Sequence, residues 1–180
     1  MTRWVERVVI GLSLCPWARP VHERSALKFI QSDAAEVDGL FECLRAEMDL
    51  LSSCKTEHET TIVVAPHAFP LDFIAFNEFV QDVDDFLHEE RLDEQFQLVG
   101  FHPHFRFAGE EPDDPGNYVN RSPIPAFHLL RQEDVTKAVD SSPTSLEVPV
   151  VNQERLRELG ASRLRELLRD CEDDRPTAAA

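Results

Sequence analysis

Thr60-Thr61-Ile62-Val63-Val64-Ala65 is the stretch on which the fold turns. Five β-branched residues stand in a row without polar alternation, and Pro66 stops the run. Such a segment reads as a short strand covered on both faces, the pattern of a parallel sheet packed between helices. Upstream, Ala26 to Gln31 reads as a second short strand. Between the two, Val37, Leu40, Phe41, Leu44, Met48 and Leu51 recur at helical spacing, and Asp33 with Glu36 has the spacing of a capping box.

Downstream, Phe73, Phe76, Val80, Val83 and Leu87 mark a helix over residues 71–91, and Phe96 to Phe101 reads as another strand. Trp4, Val5, Val8, Val9 and Leu12 form one stripe of a helix over residues 3–13. Residues 126–139 read as a helix, Leu146 to Val151 as an edge strand that tolerates Pro149, and Asn152 as the cap of a last helix ending at Asp170. Residues 1–172 form one domain, and 173–180 a frayed tail. Strands separated by helical crossovers imply a single-domain α/β sandwich. Its sheet has three or four mostly parallel strands with flanking helices. A ferredoxin-like α+β arrangement is the alternative.

The chain has 180 residues, 42% of them hydrophobic, with 34 acids, 18 bases and a formal charge of −16. It is long enough for one core, which excludes wholesale disorder. Seventeen acids and three bases fall in residues 33–94, so the excess charge belongs to two helices. An acidic chain lacks the basic face that nucleic acid requires. No apolar run is long enough for a membrane span, and the apolar stretch at Val8 to Leu14 follows Glu6 with no cleavage motif after it. Cys15, Cys43, Cys54 and Cys171 have irregular spacing without a C-x-x-C pair, as in reduced cytoplasmic thiols.

The unusual chemistry lies in residues 100–131, GFHPHFRFAGEEPDDPGNYVNRSPIPAFHLLR. Five prolines and interleaved aromatics make residues 102–125 an ordered loop, and it begins at the C-terminal end of a strand, where open α/β sheets bind ligands. Three readings are open. His102, His104 and His128 with Asp113 or Asp114 could gather a divalent metal such as Zn or Fe, and His102, His128 and Asp114 are the preferred set. Alternatively Arg121, Arg131 and Arg106 grip a small anion while Asn117 and Asn120 orient it and a histidine moves a proton. In the third reading Asp113, Asp114, Asn117 and Asn120 only cap turns and Arg121 ties the loop down. Cys15, beside Arg19 and Arg24 in a basic segment, is a candidate nucleophile or redox thiol.

Gly11-Leu12-Ser13-Leu14-Cys15-Pro16-Trp17-Ala18, Phe101-His102-Pro103, Asp113-Asp114-Pro115, Asn120-Arg121-Ser122-Pro123 and His128-Leu129-Leu130-Arg131 together resemble the bacterial family called domain of unknown function 1415. The likeness runs from Trp4 to about Gly160, with Trp17, Ile124 and Gln132 standing where Phe, Tyr and Glu are usual. It implies a small bacterial cytosolic protein and brings no assigned activity. The expectation is therefore a small enzyme acting on a compact anionic or polar metabolite, with His102, His128, Asp114 and Cys15 as catalytic candidates. The competing classes are a module whose acidic helices bind a basic partner, and a thiol redox protein using Cys15.

Overall fold

The computed structural model describes residues 1–53, 58–141 and 148–172. Four strands form one sheet: β1 (Leu27–Gln31), β2 (Thr60–Val64), β3 (Phe96–Phe101) and β4 (Ala126–Arg131), in the order β1-β2-β4-β3. β1 pairs with β2 in parallel, and β4 is antiparallel to both β2 and β3. Three strands therefore run one way and β4 alone runs back between them. The single-domain α/β class holds, and the sheet is mixed, with one parallel and two antiparallel pairings. β2 is buried at every position, as its unbroken β-branched run requires of a central strand.

One face of the sheet carries α3 (Val37–Ser52) and α4 (Phe73–Glu89). Leu40, Leu44, Met48 and Leu51 of α3 meet Phe76, Phe79, Val83 and Leu87 of α4 over Val63, Phe127, Leu129, Phe96 and Leu98. These positions repeat at three- and four-residue steps, which is why each helix buries one stripe and leaves most of its acids in water. The exception is Glu47 of α3, buried and paired with Lys28 Nζ at 2.9 Å. Gly100 in β3 permits the close approach of α4. A Cβ there would stand 2.9 Å from the Phe76 ring.

The opposite face is covered by the N-terminal helix and by α6 (Val148–Leu159) and α7 (Ala161–Glu172). Trp4, Val5, Val8, Leu156 and Leu164 pack there on Ile62, Val64 and Ala126. The N-terminal helix starts as α1 (Thr2–Trp4) and continues as a π-helix over Val5–Ile10, and a short α2 (Ala18–Glu23) follows. α6 grips the intervening segment. Asn152 Nδ2 donates to the Leu14 carbonyl at 2.6 Å, and Arg155 Nη1 to that of Leu12 at 2.8 Å.

Four local expectations are corrected. Residues 126–139 are not one helix: Ala126–Arg131 is β4, and α5 (Gln132–Asp140) begins only afterwards. A central strand buried on both faces has no polar alternation to distinguish it from a buried helical turn. Asp33 forms no capping box, because α3 starts after Glu36 without a side-chain cap, and Asp33 accepts instead from Gln31 Nε2. Val148–Val151 is the first turn of α6 and not an edge strand, with Pro149 early in the helix, where its missing N–H costs nothing. The final helix is also two, broken at Gly160, whose φ of +78° suits glycine. Residues 146–147, the 173–180 tail and Cys54 lie outside the described residues.

Candidate functional site

β1, β2 and β3 all end at the same edge of the sheet, where β2 leads into α4 and β3 into residues 102–125. His102 follows β3 immediately and is fully buried. Its Nδ1 accepts from the backbone N–H of His104 at 3.0 Å, and its Nε2 donates to the Phe69 carbonyl at 2.7 Å. An amide N–H only donates and a carbonyl only accepts, so both ring nitrogens are committed and the ring is the neutral Nε2–H tautomer. Burial, the largest cause, holds its pKa below the ordinary histidine value. The Phe69 bond also steadies a residue whose φ is +52°. His102 fastens two loops together and has no free nitrogen for a proton or a metal.

The other polar residues of the loop behave in the same way. Asn117, fully buried in a 3₁₀ turn over Pro115–Val119, accepts from Phe107 N at 3.0 Å and donates to the Glu111 carbonyl at 2.8 Å and to that of Pro112 at 3.4 Å. Arg121 donates from Nε to the Phe105 carbonyl at 3.0 Å and from Nη2 to the Pro112 carbonyl at 2.6 Å, and its guanidinium lies 4.7 Å from the centre of the Tyr118 ring. Asn120 Nδ2 donates to the Gly100 carbonyl at 3.1 Å. Asp114 caps the 3₁₀ turn by accepting from Gly116 N and pairs with Arg157 of α6. The Arg157 guanidinium, the first cause, keeps the Asp114 carboxyl below the usual carboxylate range.

His128 and Arg131 are elsewhere. His128 sits on β4 opposite Val99, and its ring faces Phe101 and Thr60 on the sheet face away from α4. His102 packs on Phe73 and Phe76 of α4, so the two histidines lie on opposite faces. The Thr60 hydroxyl donates to the Leu129 carbonyl and accepts from His128 Nε2 at 2.7 Å. Burial pushes the His128 pKa down to about 4. Arg131 pairs across from Phe96 and clamps the Leu51 carbonyl at the end of α3 with Nε at 3.1 Å and Nη2 at 2.8 Å. Along β3 that is six residues, roughly 20 Å, from His102.

The set His102, His128, Asp114 is therefore not a metal centre. Among the described residues no group of three or more His, Cys, Asp or Glu is arranged to hold a metal ion. The convergence expected of His102, Asp114, Arg121 and His128 is absent for the same reason: the sheet separates the histidines, and Asp114 and Arg121 are spent on the loop. Cys15 does not meet the requirement for a reactive thiol either. Burial raises its pKa more than the Trp17 and Ala18 amides lower it. Cys15, Cys43 and Cys171 are all free thiols.

These bonds do build something. Asn117 and Arg121 pin Phe105, Phe107, Glu111 and Pro112, so residues 105–112 form a held turn with Gly109 (φ +82°) near its tip. Between this turn and α4 lies a cleft of about 440 Å³, walled by Phe73, Asn77, Arg106, Phe107, Glu110 and Glu111 among others. Glu110 pairs with Arg157 Nη2 at 3.0 Å. Arg106 is exposed, and its guanidinium makes no hydrogen bond or ion pair with any described residue. Of the three arginines singled out in the sequence, it alone is uncommitted. Asn77 and Arg157 are not singled out in the sequence, and Phe73 only as a helix position, because they reach the loop only through the packing of α4 and α6.

The molecule is thus a single-domain α/β protein whose β3–β4 loop is locked by its own polar side chains and walls a cleft at the sheet's C-terminal edge. The chain belongs to the family described as protein of unknown function, DUF1415, whose model matches residues 1–166. No curated protein and no solved structure matches it. Among the described residues no helix is long and apolar enough to cross a membrane.

Proposed function

We propose that the protein binds a compact anionic metabolite in the cleft against α4, with Arg106 gripping the anion. The observation that carries this reading is the free Arg106 guanidinium on a turn whose backbone is fixed at both ends. The held backbone leaves only the Arg106 side chain to be ordered on binding, and a guanidinium matches carboxylate or phosphate with two parallel hydrogen bonds. The cleft volume suits a small ligand. The expected substrate class is kept, whereas proton transfer by His102 or His128 is dropped because both rings are neutral and bonded. Free thiols support a bacterial cytoplasm as the compartment.

Calorimetric titration with inorganic phosphate, succinate and hydrocinnamate tests the reading. At least one anion is expected to bind saturably, and Arg106→Gln to weaken it about tenfold or more, the scale of one charge-assisted pair. Saturable binding unchanged by Arg106→Gln, or no binding of any anion, contradicts it.

A second reading, a module whose acidic helices dock a basic partner, is favoured by Asp82, Asp84, Asp85 and Glu89, which stand exposed along α4. The same titration separates the two, because a docking module shows no saturable uptake of small anions.

A further inference from the structure

The cleft holds more charge than an anion site needs, and that charge is unevenly committed. Glu110 pairs with Arg157, which it shares with Asp114. Glu111 is exposed, and its carboxylate makes no hydrogen bond or ion pair with any described residue. Arg106 is equally uncommitted, and the two do not pair with each other although they line the same cleft. One free positive group and one free negative group therefore stand on a single held turn. Phe73 and Phe107 add apolar wall, and the Asn77 amide offers both a donor and an acceptor.

A simple anion here would meet Arg106 but also the Glu111 carboxylate, and a simple cation would meet the reverse. A ligand carrying both signs on a small apolar body satisfies each group. We infer that the ligand of this cleft is a zwitterion, an apolar α-amino acid, with its carboxylate on Arg106, its ammonium on Glu111 and its side chain against Phe73 and Phe107. This rests on the anion-binding reading above and adds the cationic half of the ligand. Opposite charges on one held turn also supply selectivity, since a ligand lacking either group leaves a cleft charge unanswered.

The test compares matched pairs by calorimetry: leucine against isocaproate, and phenylalanine against hydrocinnamate, which differ only in the ammonium group. In the unmodified protein the amino acid of at least one pair is expected to bind about tenfold or more tighter than its deaminated partner. Glu111→Gln is expected to abolish that preference while leaving the deaminated acid bound at least as well. The Glu111 side chain is exposed and unbonded, so this variant keeps the fold. Arg106→Gln is expected to weaken both members of the pair. Equal binding within both pairs, or a preference that survives Glu111→Gln, overturns the zwitterion inference and leaves the anion reading standing. Binding of neither member of either pair overturns the inference, and binding indifferent to Arg106→Gln overturns both.

Discussion

Replacing Asn117 with alanine is expected to lower the unfolding free energy by about 3 kcal/mol, read from urea denaturation at neutral pH. The side chain is fully buried and holds three backbone groups, the Phe107 N–H and the carbonyls of Glu111 and Pro112. A net hydrogen bond contributes about 1 kcal/mol, and a buried partner left unsatisfied costs about 1–3 kcal/mol more. The loss falls between these limits, since the exposed turn lets water reach some of the freed groups. Asn117→Asp is nearly isosteric yet is also expected to destabilise strongly, because it exchanges a donor for a carboxylate facing two carbonyls. A change below about 1 kcal/mol for the alanine variant would show that the turn holds itself without this residue.

Acidification supplies the second large effect. His128 has a folded pKa of about 4, against about 6.5 in an unfolded chain. Below pH 6.5 the unfolded state binds a proton that the folded state refuses, so stability falls as pH drops through this window. By pH 4.5 the loss assigned to His128 is about 2 kcal/mol, trimmed slightly because the residue keeps partial exposure. Burial of His102 acts in the same direction. His128→Gln keeps an Nε2 donor for Thr60 and removes the titrating ring. Its stability is expected to fall by about 2 kcal/mol less than that of the unmodified chain between pH 7.5 and 4.5. Parallel pH curves for the two proteins would place the His128 pKa near its ordinary value and contradict the burial argument.

Much of the fold was legible because the relevant signals are local. The β-branched run at Thr60 and the three- and four-residue steps through Leu40–Leu51 and Phe76–Leu87 report burial directly. The β4 strand was not legible, since Phe127, Leu129 and Leu130 fit a helical stripe as well as a strand and run straight into the helical pattern of α5. The loop after β3 could be singled out by its prolines and polar residues, but the roles within it could not. Arg106, Arg121 and Arg131 look alike in sequence. They differ only because Arg121 meets the Phe105 carbonyl and Arg131 the Leu51 carbonyl, while Arg106 meets neither. Likewise Asp114 pairs with Arg157 across 43 positions of chain, a contact that no spacing rule encodes. Polar side chains in a long ordered loop are needed first to satisfy its own backbone, and that need absorbed most of the candidates.

The assignment that separates this account from a histidine-centred active site is the state of His102. Nitrogen-15 NMR of the imidazole rings reads it directly through the ring nitrogen shifts and couplings across pH 5 to 8. His102 is expected to be neutral at pH 7 and above with the proton on Nε2 and Nδ1 bare, and to titrate below the ordinary histidine value, as burial and its bonds to Phe69 and His104 dictate. A His102 ring that titrates near pH 6.5, or carries its proton on Nδ1, would contradict the account and return this residue to the candidates for proton transfer.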